Sequence, residues 1–283
     1  SKKFIFCIGT TSKSKYKILF SKISQLGYKI LKVPSLYEIA SGKLSIDSLS
    51  PLKIEDILGR DEVIPDENLL RSSIEDRTIL ITGAAGTIGF ELTKQVLKRK
   101  PKKVILLDIS EVSLYKVLEE LKNLSNDLDN IKLVMGSASN ERLVNNILIK
   151  NKVNVIYHAA AYKHVYFVEK NPMVGILNNV LSTKNLCDLV LKNNIEKFVL
   201  ISTDKAVRPS SIMGASKRVC ELIVQLSSKI SKTKNKTSNF SLVRFGNVLR
   251  SSCSVVPIFE NQIKKGGPLF VTDPQVSRYF MTI

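Results

Sequence analysis

The chain has 283 residues, with 43 Lys and Arg against 25 Asp and Glu, a formal net charge of +18 and 44% hydrophobic residues. This composition is ordinary for a soluble globular protein, and no apolar run approaches the roughly 18 residues that span a bilayer. The basic excess is spread along the chain, with local runs at 98–103 and 228–236 but no aromatic residues between them, which argues against a nucleic-acid partner and leaves an anionic membrane face open.

The start, with Phe4, Ile5, Phe6 and Ile8, is too short for a signal peptide and reads as a strand over 4–8. A helix at about 14–26 and a strand at 28–33 follow. Residues 1–44 are therefore expected to be the remnant of an N-terminal α/β module whose first part is missing, because one βαβ unit cannot cover both faces of its sheet. Residues 45–76, with Pro51, Gly59, Pro65 and many charges, read as a linker with short helical turns.

From Arg77 onward, short β-branched runs alternate with helical patterns. Strands are expected at 78–82, 103–107, 131–135, 153–158, 197–202 and 240–245, and helices near 87–99, 110–124, 140–150, 171–193 and 211–231. This alternation predicts an α/β fold, a doubly wound Rossmann-type parallel sheet over 77–248. The chain stops at Arg278-Tyr279-Phe280-Met281-Thr282-Ile283 with neither a closing turn nor a polar tail. Residues 249–283 are accordingly expected to be an incomplete substrate-binding region, and the chain a fragment at both ends.

The first of these strands runs into Gly83-Ala84-Ala85-Gly86-Thr87-Ile88-Gly89 and then a helix. Glycines at this spacing allow a tight turn, close backbone approach to a pyrophosphate and close helix–strand packing, with the phosphates on the helix N-terminus. Gly83, Ala85, Gly86, Thr87, Ile88 and Gly89 are thus candidate dinucleotide-binding positions. The second strand ends in Leu106-Leu107-Asp108, where a carboxylate would accept from the adenosine ribose hydroxyls and repel a 2′-phosphate, favouring NAD over NADP. The competing reading of Asp108 is a cap on the helix that begins near Ser110. After the fourth strand, Ala159, Ala160 and Ala161 leave room for a cofactor against the backbone, and His158 reads as a structural hydrogen-bonder. The cysteines Cys7, Cys187, Cys220 and Cys253 lie far apart and, with His158 and His164, form no paired metal-ligand spacing; free thiols in a reducing cytoplasm and no metal are expected.

The stretches "TGAAGTIG", "HAAAYKHV", "STDKAVRPSSIMGASKR", "VRFGNVL" and "SRYFMTI" resemble the bacterial UDP-N-acetylglucosamine 4,6-dehydratases, extended short-chain dehydrogenases of surface-glycan synthesis. The upstream "PLKIEDILGRDEVIPD" resembles the linker of their large, membrane-anchored branch, and the likeness runs from about Tyr28 to the end. Related nucleotide-sugar enzymes carry Tyr-x-x-x-Lys where this chain has Met213 and Lys217; in this branch Met is the expected residue. The resemblance implies that Lys217 binds the nicotinamide ribose of NAD and Thr203 the sugar 4-hydroxyl. It implies that Asp204 is the acid for the departing 6-hydroxyl, that Lys205 is the base at C5, and that Met213 is an apolar wall beside the sugar. It extends the cofactor set to Ser137, Ala138 and Asn179, and assigns Lys163, His164, Asn247 and Arg278 to the sugar nucleotide.

The activity implied is NAD-dependent 4,6-dehydration of a UDP-N-acetylhexosamine in a homo-oligomer, cytoplasmic, with the full-length form at the inner membrane's cytoplasmic face. A C4 epimerase and a non-catalytic NAD-binding module are the alternatives. The chain departs from the family pattern at Ser137-Ala138, where Asp-Val is usual, at Tyr166 for Pro, and at Ser182, Arg250 and Cys253 for Gly.

Overall fold

The computed structural model of the chain describes residues 3–6, 29–33, 50–51 and a few positions between them, then 65–124, 128–249, 251, 254–271 and 273–282. The chain divides into two compact units, one of Ser1–Ile64 with Phe280–Thr282 and one of Pro65–Tyr279 with Ile283. In the first, β1 (Lys3–Phe6) runs parallel to β2 (Lys29–Lys32), and β2 is antiparallel to β3 (Ser50–Pro51). Most of the helix expected at 14–26 lies outside the described residues, as do Arg250 and Cys253.

The segment expected as a linker contributes more than short turns. It supplies β3, and at its end α1 (Glu67–Ile74), whose Asp66 cap accepts from the Asn68 and Leu69 N–H groups. Within the larger unit α1 is tied down by the Arg99–Glu67 ion pair at 2.7 Å and by the bond from Lys197 Nζ to Ser73 Oγ at 2.8 Å.

The larger unit is built on six parallel strands: β4 (Thr78–Thr82), β5 (Lys103–Asp108), β6 (Ile131–Met135), β7 (Val155–His158), β8 (Lys197–Thr203) and β9 (Asn239–Phe245). Their order is β6-β5-β4-β7-β8-β9, the doubly wound Rossmann arrangement. All five residues of β4 are buried, as a central strand covered on both faces requires. Successive side chains along a strand point to opposite faces. Thus Leu80, Ile105, Leu107 and Ile156 join one core cluster, while Ile79, Ile81, Val104, Leu106 and Val155 join the other.

The connecting helices are α2 (Thr87–Leu97), α3 (Glu111–Leu124) and α4 (Glu141–Asn151), then α5 (Val165–Lys170), α6 (Pro172–Ile176), α7 (Ser182–Asn193) and α8 (Ile212–Thr233). The helix expected at 171–193 is present as one helical run from Pro172 to Asn193 that carries a π turn. Pro172 opens α6, and the π turn at Leu177–Leu181 joins α6 to α7. One extra residue per turn breaks the helical period there, a feature common at functional sites; here it buries Asn179. Among the described residues no helix is long and apolar enough to cross a membrane.

Candidate active site

The carboxyl ends of β4 to β8 converge on one edge of the sheet, and the chain reverses direction across it between β4 and β7. Ligands of open α/β sheets bind at such a switch point. Gly83 follows β4 with φ +64°, and a Cβ there would lie 2.6 Å from the Ala160 backbone nitrogen. A Cβ on Gly89 would strike the Gly83 carbonyl. The loop is therefore pressed between α2 and the Ala159–Ala161 segment, and only glycine fits at either position. Its shape, with the first turn of α2 directly behind, suits a pyrophosphate.

Asp108, the last residue of β5, accepts from the Ala85 N–H through Oδ2 and from the Ser110 N–H through Oδ1, each at 3.0 Å. Asp108 thus ties the glycine loop to the turn before α3, and Ser110, whose Oγ accepts from the Ser113 N–H, caps that helix. Ser137 and Ala138 follow β6, but the Ser137 hydroxyl is engaged with Ser139 Oγ at 2.8 Å and Ala138 is buried. Asn179 is 1% exposed, and its amide is spent on the protein. It accepts from the Tyr162 N–H and Asn178 Nδ2 and donates to the Tyr162 carbonyl and Ser216 Oγ. The amide of Asn179, expected to meet the cofactor, is thus engaged by protein partners, and it braces the loop after β7 against α8.

His158 is fully buried at the end of β7. Its Nδ1 lies 2.7 Å from Thr82 Oγ1, and its Nε2 lies 3.2 Å from Thr183 Oγ1 and 3.4 Å from Ser182 Oγ. Ser182, at a position where the resembled family carries glycine, thus has a use: its hydroxyl sits between His158 and the Asn179 carbonyl. Burial, reinforced by the charge of Lys217, lowers the His158 pKa from 6.5 to about 3. The native imidazole stays neutral while the unfolded one gains a proton, so its contribution is complete above pH 6.5 and is lost as pH falls toward 3. His158→Gln is expected to show a smaller drop in unfolding free energy than the parent between about pH 7 and about pH 5, read by denaturant titration.

Beside this crevice, β8 ends in Thr203 and turns through a single 3-10 turn, Asp204–Ala206. Asp204 Oδ1 accepts from Thr203 Oγ1 at 3.0 Å and from Lys205 Nζ at 3.1 Å. Lys205 Nζ also donates to Asn247 Oδ1 at 2.7 Å. A hydroxyl, a carboxyl and an amine thus form one hydrogen-bonded chain at a strand tip. α8 packs onto this turn, with Met213 and Lys217 3% and 5% exposed. Burial holds the Lys217 ammonium below the usual lysine range, opposed by Cys220 and Glu221.

Of the substrate positions, Asn247 is brought to Lys205. Lys163 and His164 are exposed on the loop entering α5. Arg278 donates to the Ser277 carbonyl at 2.9 Å, on a segment whose Tyr279 carbonyl accepts from the Asn247 N–H. One charged residue went unread in the sequence: Glu221, four positions after Lys217 on α8, is 0% exposed and joined to Ser202, Arg218 and Arg244. Its spacing from Lys217 was the available signal. Burial would push this carboxyl up, but hydrogen bonds from Arg244, Ser202 and Arg218 hold it at about 2.

The family described as polysaccharide biosynthesis protein matches residues 79–283. The chain belongs to that family. Among polysaccharide biosynthesis proteins, it is 41% identical over 282 residues to the capsular polysaccharide biosynthesis protein CapD of Staphylococcus aureus, covering 100% of this chain and 46% of CapD. It is 34% identical over 215 residues to a UDP-glucose 4-epimerase of Rickettsia rickettsii, covering 74% of this chain and 60% of that protein. The solved structure of Pen from Bacillus thuringiensis superposes with a TM-score of 0.68 at 34% identity, over 74% of this chain and 64% of Pen. The chain spans about half the length of CapD.

Proposed function

We propose that the chain carries the catalytic site of a nucleotide-sugar 4,6-dehydratase, a hydro-lyase using NAD, with UDP-N-acetylglucosamine as substrate. The observation that carries this reading is the Thr203–Asp204–Lys205–Asn247 chain of hydrogen bonds beside the glycine loop. The glycine loop with Asp108 fits a dinucleotide, and a carboxylate at that strand tip favours NAD over NADP. Bound NAD would supply a hydride acceptor for the sugar C4 and a hydride donor for C6.

The protein groups supply the rest. The Thr203 hydroxyl would hold the 4-hydroxyl. A ketone at C4 acidifies the C5–H; Lys205 Nζ takes that proton while Asp204 gives one to the departing 6-hydroxyl, so water leaves and a C5–C6 double bond forms. The acid and base forms required are one proton shift away from the observed ion pair. Moving the shared proton from Lys205 Nζ to Asp204 Oδ1 gives a neutral amine and a neutral acid. A sugar covering the turn would favour this neutral pair, because an ion pair loses more than neutral groups when water is excluded. Met213, buried beside the turn, has no proton to exchange and serves as an apolar wall. Lys163, His164 and Arg278 are assigned, with Asn247, to binding the sugar nucleotide.

A second reading, epimerisation at C4, is favoured by the Rickettsia relative; it has no use for an acid–base pair spanning C5 and C6. The test is incubation of the full chain with NAD and UDP-N-acetylglucosamine, followed by mass spectrometry. A product lighter by one water is expected, and an isomer of unchanged mass would carry the second reading. NAD binding without turnover would instead leave a non-catalytic module.

The reading extends to a homo-oligomer at the cytoplasmic face of the membrane. Supporting self-association, Val165, Tyr166, Phe167, Met173, Val174 and Leu177 are exposed within thirteen residues along α5, α6 and the π turn. An apolar stretch of this kind commonly marks an interface.

A further inference from the structure

Resting on that reading, we propose that Glu221 is a positioning residue for the elimination, a buried clamp that fixes the catalytic turn, the Asn247 segment and Lys217 relative to one another. α8 carries Lys217 and, one turn later, Glu221, so the two share a face. β8 and β9 are paired with Ser202 opposite Arg244 and Thr203 opposite Phe245. The Glu221 carboxylate reaches both members of the first pair. Oε1 accepts from Ser202 Oγ at 2.7 Å and from Arg244 Nε at 2.8 Å. Oε2 accepts from Arg244 Nη2 at 2.6 Å and from Arg218 Nη1 at 2.9 Å.

The side chain is 0% exposed, and four hydrogen bonds occupy its two oxygens. A carboxylate held this way has a single low-energy position, since any shift leaves a buried charge short of a partner. Each anchored residue sits next to chemistry. Ser202 is one peptide from Thr203; Arg244 is three residues from Asn247, which binds the Lys205 amine at 2.7 Å. With every oxygen occupied and no exposure, Glu221 exchanges no proton with a sugar. Its effect passes through the placement of Lys205 and Asp204, where an error of about 1 Å costs on the order of a hundredfold in rate.

The test compares the parent with Glu221→Gln and Ser202→Ala in the full chain, by hydrogen–deuterium exchange and by steady-state kinetics with NAD and UDP-N-acetylglucosamine. For Glu221→Gln, exchange is expected to rise in peptides 200–207 and 244–249 and to stay unchanged in 83–92. Its kcat should fall by about tenfold or more, by a larger factor than any change in KM or NAD affinity. Ser202→Ala keeps the carboxylate–guanidinium pair; it should move both readouts the same way by a smaller factor, and it decides the matter where Glu221→Gln does not fold. Parental exchange in both segments overturns the proposal, as does a loss confined to KM or to NAD binding. If the parent itself turns over no sugar, the proposed function fails, and the exchange comparison still decides whether the clamp exists.

Discussion

Lys205→Met is expected to stop water loss from the sugar nucleotide while leaving NAD binding intact. The substitution keeps most of the side chain's length and removes its only proton-accepting atom. General acid–base groups contribute factors of about 10² to 10⁴, and without a base at C5 neither the proton nor the 6-hydroxyl leaves, so dehydration should fall by at least about 10³-fold. The Lys205 amine also holds Asn247 Oδ1 and Asp204 Oδ1, so Asp204→Asn is the companion variant. It keeps the shape of the acid but cannot release the proton, and it should lose dehydration on a similar scale. Product formation followed by mass spectrometry, with NAD affinity measured by calorimetry, checks both. Retained dehydration in Lys205→Met would remove this lysine from the mechanism. Under the epimerase reading the same variant would keep most of its activity.

Gly83→Ala is expected to open the glycine loop and weaken NAD binding. The position has φ +64°, which costs an L residue roughly 1–2 kcal/mol, and the new Cβ would lie 2.6 Å from the Ala160 nitrogen and 2.7 Å from its Cα. Backbone cannot swing aside as a side chain does, so the loop must open away from β7. Each 1.4 kcal/mol is a factor of ten in affinity. Strain and displacement together should weaken NAD binding by about 100-fold or more, with a lowered melting temperature. Gly86→Ala is the control for stability alone: its Cβ would meet the Gly83 carbonyl at 3.3 Å, a contact that a small shift relieves, so it should keep the parent's melting temperature. Equal NAD affinity in Gly83→Ala and the parent would mean that the loop does not hold the pyrophosphate.

Much of this architecture was legible in the residues. The strands of the larger unit announce themselves because a parallel sheet buried on both faces needs runs such as Ile79-Leu80-Ile81 and Val104-Ile105-Leu106-Leu107. The glycine loop was legible because close backbone approach permits few residue types. Thr203, Asp204 and Lys205 were found through a family resemblance; hydrophobic period alone would have marked them only as a strand end.

What escaped was set by contacts distant in sequence. Apolar spacing through 171–193 reads as one regular helix, and the π turn within it emerges only when Asn179 is drawn in to meet Tyr162 and Ser216. Glu221 looks like an ordinary helix-surface residue until the register of β8 with β9 brings Ser202 and Arg244 beneath it. The same holds for β3, a two-residue strand in a stretch with linker composition, and for the bond between Lys205 and Asn247, a residue the resemblance did name, across 42 residues of sequence.

The central claim is that the Thr203–Asp204–Lys205 turn eliminates water across C5 and C6 of a sugar oxidised at C4. The most direct measurement uses UDP-N-acetylglucosamine carrying deuterium at C4, incubated with the full chain and NAD, with the label located in the product by NMR. Deuterium on the C6 methyl of a 4-keto-6-deoxy product is the result expected here. Deuterium retained at C4 of an isomer with its 6-hydroxyl intact would contradict it.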